Sequence, residues 1–95
     1  MSKQEYEARI AGKRAISLLA QELAWSAGEP VGRIDWKPDP EIEDPDKPAD
    51  TYQITLATPR AKVSGNLPAE AVQNAKPGRL NGVRDTLQQL VQGLR

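Results

Sequence analysis

TYQITLAT, residues 51–58, decides the fold. Tyr52, Ile54 and Leu56 alternate with Thr51, Gln53, Thr55 and Ala57. A period of two puts the large apolar side chains on one side of a strand and the polar ones on the other. Thr58-Pro59-Arg60-Ala61 follows as a tight turn, with Pro59 supplying the fixed φ at its second position. Residues 62–67 then return as a second strand: Val63, Gly65 and Leu67 face the core, and Lys62, Ser64 and Asn66 face out. Upstream, residues 31–37 predict a third strand, with Gly32, Ile34 and Trp36 opposite Arg33, Asp35 and Lys37. Pro38 stops it. Strands with one apolar side each describe an antiparallel sheet covered on one face only. Its open face is expected to carry Arg33, Asp35, Lys37, Gln53, Thr55, Lys62, Ser64 and Asn66.

Helices flank this meander. Residues 3–27 hold no Pro and are rich in Ala, Leu, Glu and Gln, which predicts a long helix. Ser2 caps its start with Glu5 as the capping-box partner, and Gly28 with Pro30 ends it. At about 100° per residue, Ala8, Gly12, Ile16, Leu19, Leu23 and Ala27 share a side that should cover the sheet. The small residues Ala8, Gly12 and Ala15 would let another backbone approach. Ala11, Leu18 and Trp25, spaced by seven, form a separate stripe, and Tyr6 with Ile10 a third side. Pro68 opens a short helical turn to about residue 75, and Lys76-Pro77-Gly78 breaks it. Asn81 reads as the N-cap of a last helix, about residues 82–94, with the stripe Val83, Leu87, Leu90, Val91 and Leu94.

The expected architecture is α+β. A three-stranded antiparallel sheet has one face covered by two helices, in the order α-β-β-β-(short α)-α. At 95 residues, a single domain spanning 1–95 is expected, with an acidic Pro-rich loop at 38–50. The charged N-terminus and the lack of a long apolar run point to a cytoplasmic chain with no membrane association.

Thirteen bases balance thirteen acids, which argues against a uniformly basic nucleic-acid binder. The balance conceals a dipole. PDPEIEDPDKPAD, residues 38–50, holds Asp39, Glu41, Glu43, Asp44, Asp46 and Asp50 against Lys47 alone, a net −5, so the remainder carries +5. Four prolines make the run stiff and extended. It reads either as a solvated connection or as a phosphate mimic that seats on a basic groove of another protein. It lacks the spacing and the turn glycine of a calcium loop. The bases that would contact nucleic acid instead are Lys13, Arg14, Arg60 and Lys62.

The helix–meander–helix order resembles the outline of the double-stranded RNA-binding domain. The residues that carry that family's function are missing, however. Its Lys-rich helix start is here Asn81-Gly82-Val83-Arg84-Asp85, and its groove-entering loop is here the acidic run. Base stacking on the open sheet face fails too, because Trp36 and Tyr52 alternate onto the covered side.

With neither Cys nor His, thiol chemistry, thiolate zinc sites and imidazole acid–base catalysis are excluded. No catalytic or phosphate-cradling motif is present. No enzyme activity, cofactor or metal is expected. The sequence points to a non-enzymatic interaction module that docks on a larger protein complex and occludes or modulates it, as phage-encoded or mobile-element inhibitors of this size do. The surfaces expected to serve are the acidic loop and the Ala11–Leu18–Trp25 stripe, the latter facing a partner protein or a second copy in a homodimer. The alternative is a nucleic-acid-binding accessory protein.

Overall fold

The computed structural model describes all 95 residues. The chain runs α1 (Lys3–Ser26), β1 (Arg33–Lys37), β2 (Thr51–Ala57), β3 (Lys62–Pro68), α2 (Ala69–Asn74) and α3 (Asn81–Gln92). The strands form one antiparallel sheet in the order β1-β2-β3. The architecture is thus the expected α+β layer, with helices on one side of an open sheet.

Alternation along β2 decides the layering as the sequence requires. Tyr52, Ile54 and Leu56 are wholly buried, while Thr51 and Gln53 are exposed. In the register, Trp36 lies opposite Ile54 and Ile34 opposite Leu56; on the other side Tyr52 lies opposite Leu67 and Leu56 opposite Val63. These cross-strand pairs make one apolar face. Trp36 meets Tyr52 edge-on, ring centroids 6.3 Å apart, and its Nε1 donates to Ser17 Oγ on α1 at 3.0 Å. Thr55 departs from the expected wet set. It is buried on the open face, where its hydroxyl shares a 2.7 Å hydrogen bond with Ser64 across the strands.

α1 begins as its sequence dictates: Ser2 Oγ accepts from the Glu5 N–H at 3.1 Å. It ends at Ala27 and Gly28, whose φ of 77° is the left-handed conformation that glycine adopts without strain. The buried side of α1 comprises Arg9, Gly12, Ala15, Ile16, Leu19, Ala20 and Ala24. That is the expected stripe rotated toward Arg9, with Leu23 and Ala27 only half-buried at its edge. Gly12 lets α2 in, as the run of small residues implied. A Cβ at position 12 would overlap the Val72 carbonyl oxygen and stand 2.8 Å from its carbon.

α3 buries Val83, Leu87 and Val91, and Leu90 packs over Gly65 of β3. Its cap differs from expectation. Leu80, not Asn81, is the N-cap, and no side chain caps the helix. Asn81 is exposed as the first helical residue, and the Leu80 carbonyl accepts from Val83 and Arg84 instead. Pro68 likewise closes β3 and precedes α2 rather than opening it. No helix is long and apolar enough to cross a membrane.

Candidate interaction surface

Three sides of α1 are occupied, and the fourth is bare. Sheet and α3 take the Ile16–Ala20 side, α2 takes Gly12, and residues 38–50 take the Tyr6–Lys13 side. The outward side carries Ala11, Leu18 and Trp25 among exposed Glu7, Arg14, Gln21 and Glu22. Ala11 is exposed, Leu18 is 58% exposed and Trp25 is 73% exposed. α3, the element that would have covered this stripe, packs elsewhere. Leu18 also borders a shallow groove shared with Ala15, Glu22, Pro77, Gly78 and Leu80.

The loop does not stand off as an extended acidic arm. It is built of turns and folds back on α1. Lys13 Nζ lies 2.8 Å from Asp39 Oδ1 and 3.1 Å from Glu41 Oε2. Arg14 Nη2 lies 2.7 Å from Glu41 Oε1. The Tyr6 hydroxyl donates to the Glu41 carbonyl at 3.0 Å. Asp39 also accepts from the Glu41 N–H at 2.9 Å, which fixes the turn. Residues read as two separate surfaces, one acidic and one basic, therefore neutralise each other.

Deeper in, Glu43 is buried and accepts from the Tyr52 hydroxyl and, at 3.3 Å, from the Ala49 N–H. Arg9 completes this network. Its Nη1 donates to the Tyr52 hydroxyl and the Ala49 carbonyl, both at 3.0 Å, and its Nε to Gln73 Oε1 at 3.2 Å. The guanidinium also sits 5.8 Å from the Tyr52 ring centroid. Arg9 and Tyr52 were not singled out as polar anchors from sequence, and only the buried carboxylate across from them explains them. Every buried side-chain polar atom finds a partner.

Of the six loop carboxylates, Asp44, Asp46 and Asp50 remain exposed, and none of them forms an ion pair. Asp44 accepts from the Asp46 N–H at 2.9 Å in a local turn. Ile42, between Glu41 and Glu43, is 82% exposed. The loop gathers no three metal-ligating side chains into one cluster. Arg60 and Lys62 lie far from Lys13 and Arg14 along the fold, at the β2–β3 turn and on the open sheet face.

The protonation states follow from these contacts. Partial burial is the largest single influence on Lys13 and Asp39 and works against their charges, but their mutual hydrogen bond, the further hydrogen bonds and the charge attraction together outweigh it. Lys13 is held above its ordinary 10.5, with Glu41 contributing, and Asp39 below its ordinary 3.8. The hydrogen bond from Arg14, then that from Lys13, holds Glu41 below its ordinary 4.5. Burial, followed by the bond to Glu43, pushes Tyr52 up to about 12 against the opposing effect of Arg9.

The link between loop and helix thus stabilises above the ordinary carboxylate values and is lost as pH falls through the depressed ones. The share from Lys13 is present below 10.5 and is lost as pH rises through its elevated value. With no His in the chain, no step is expected in between. Amide hydrogen exchange at Glu41 and Ala49 should show constant protection from pH 5 to 8, once corrected for intrinsic rates. Protection should be lost below the ordinary carboxylate values of 3.8 and 4.5. A protection step near neutrality would contradict the ion-pair link.

Comparison with family models, with curated proteins and with solved structures finds no match for this chain.

Proposed function

We propose that this chain is a non-enzymatic protein-interaction module that docks on a larger protein complex through the outward face of α1 and occludes or modulates it. One observation carries the reading: Leu18 and Trp25 are large apolar side chains left exposed on the outward side of a 24-residue helix whose opposite side is buried. Trp is among the residues most enriched at energetic centres of interfaces. A helix held by sheet, α2 and loop presents it without further ordering, which lowers the entropic cost of association. The loop adds exposed Ile42 beside Glu41, the carboxylate that grips Arg14 of α1.

The chemistry of the buried groups supports a binder over a catalyst. Arg9, Tyr52 and Glu43 form one hydrogen-bonded network with no buried polar atom left unpartnered. A tyrosine held at about 12 stays protonated near neutral pH and offers no phenolate there to act as a base. The rival reading needs Lys13, Arg14, Arg60 and Lys62 for nucleic acid; Arg60 and Lys62 carry no ion pair, but they lie apart from the two bases of α1. Lys13 and Arg14 are both engaged by carboxylates, which lowers their value as phosphate contacts.

Affinity capture from nuclease-treated native extract tests the proposal. A protein partner should persist after nuclease. Trp25→Arg with Leu18→Glu should weaken its binding at least ~30-fold, as loss of an interface centre worth about 2 kcal/mol requires. The thermal midpoint should stay nearly unchanged, because both side chains are exposed. Equal capture by the variant would refute the assignment of this face. A concentration-dependent mass at tens of micromolar, abolished by Trp25→Arg, would assign the face to a second copy of the chain instead.

A further inference from the structure

On the side of the molecule opposite α1, the register builds a second polar surface. Across the open face, Arg33 lies opposite Ala57, and Ala57 opposite Lys62. Neighbouring strands stand about 4.8 Å apart, so the two cations flank the short Ala57 side chain at a backbone separation of roughly 10 Å. The β2–β3 turn adds Arg60 to the same groove, which Arg33, Asp35, Ala57, Thr58 and Lys62 also line.

The turn holds its shape through Thr58. Its N–H donates to the Ala61 carbonyl at 2.8 Å, and its hydroxyl accepts from the N–H groups of Arg60 and Ala61 at 3.3 and 3.0 Å. Arg60 and Lys62 form no ion pair. Arg33 is gripped by Asp35 through Nε, at 2.9 Å to Oδ2 and 3.1 Å to Oδ1. That contact orients a guanidinium that is otherwise largely exposed and has further N–H groups to donate. Three cations therefore surround a notch floored by a methyl group, with one carboxylate engaged in orienting the first of them. Glu29, in the adjoining groove beside Arg60, bounds the site on that side.

We infer that this notch binds a phosphate group through Arg33, Arg60 and Lys62. The guanidinium forks match the geometry of phosphate oxygens, and the lysine supplies a point charge. The open face bears no aromatic ring, so the surface recognises phosphate rather than a base. The phosphate is carried either by a small phosphorylated molecule or by a nucleic-acid strand. The inference stands apart from the reading of α1, since it uses none of that face.

Amide chemical shifts in 50 mM salt test it, with inorganic pyrophosphate in one arm and a twelve-nucleotide oligothymidylate in the other. Shifts should concentrate at Arg33 and residues 57–62. Arg33→Ala with Lys62→Ala should weaken binding at least ~10-fold, and both positions are exposed enough to leave the fold intact. Pyrophosphate shifts would support the small-molecule source. Shifts with the strand alone would support a backbone phosphate, with a log–log salt slope near about −2 for three contacts. Shifts in neither arm, or binding that the double variant leaves unchanged, would overturn the site.

Discussion

Arg9→Met should destabilise the chain by about 1–3 kcal/mol, the cost of leaving buried hydrogen-bond partners unsatisfied. The side chain touches three separate elements. It donates to Gln73 of α2, to the Ala49 carbonyl at the end of the loop and to Tyr52 of β2. Tyr52 in turn donates to Glu43. Removing the guanidinium takes the donor from three acceptors and leaves the buried Glu43 carboxylate in a network with no cation, each at its own desolvation cost. Small domains hold only about 5–15 kcal/mol in total, so the loss is a large share. Combining Arg9→Met with Glu43→Leu should cost less than the sum of the single changes, because the second removes the stranded charge. Urea denaturation measures both. A single-variant cost under about 1 kcal/mol, or strict additivity, would show that the network does not hold the loop to the helix.

Gly12→Ala is the second large effect. The added methyl collides with the Val72 carbonyl, which is backbone and not a flexible side-chain tip. α1 and α2 must separate, at a cost of about 3 kcal/mol, near the top of the range for overpacking. In a domain of this size that lowers the melting temperature by roughly 12–20 °C. Helix propensity alone predicts the opposite sign, a gain of about 1 kcal/mol. Gly82→Ala is the control. It lies in α3 with open space where its Cβ would go, and it should be neutral or stabilising by up to about 1 kcal/mol. Equal melting temperatures for Gly12→Ala and the parent would mean that α2 does not sit where it is placed here.

Both effects mark the boundary of what local pattern reveals. β2 and β3 follow from alternation, the turn from Pro59 and Thr58, and α3 from its apolar stripe, because each signal lies within a few residues. Gly12 was recognisable as a close-approach position, though not the carbonyl it meets. The fate of the acidic loop was not recognisable. Its prolines suggested a stiff, extended run, but Lys13 and Glu41 meet across 28 positions of chain, and Arg9 and Tyr52 across 43. Only tertiary geometry sets such pairs. Arg9 also departs from the helical wheel: a charged residue scores as outward, yet here it is held inward by Tyr52, the Ala49 carbonyl and Gln73. Asn81 failed as a cap for a similar reason, since the turn at Lys76–Arg79 delivers Leu80 to the cap position.

The outward stripe was visible as surplus apolar surface, and its exposure is a consequence of where α3 packs. Hydroxyl-radical footprinting of the free chain and of its captured complex tests the docking claim most directly. Trp25 and Leu18 should label readily in the free chain and lose most of that labelling in the complex, while residues of the open sheet face keep theirs. Undiminished labelling of Trp25, with protection moved to Asp44 and Asp46 or to the sheet, would contradict it.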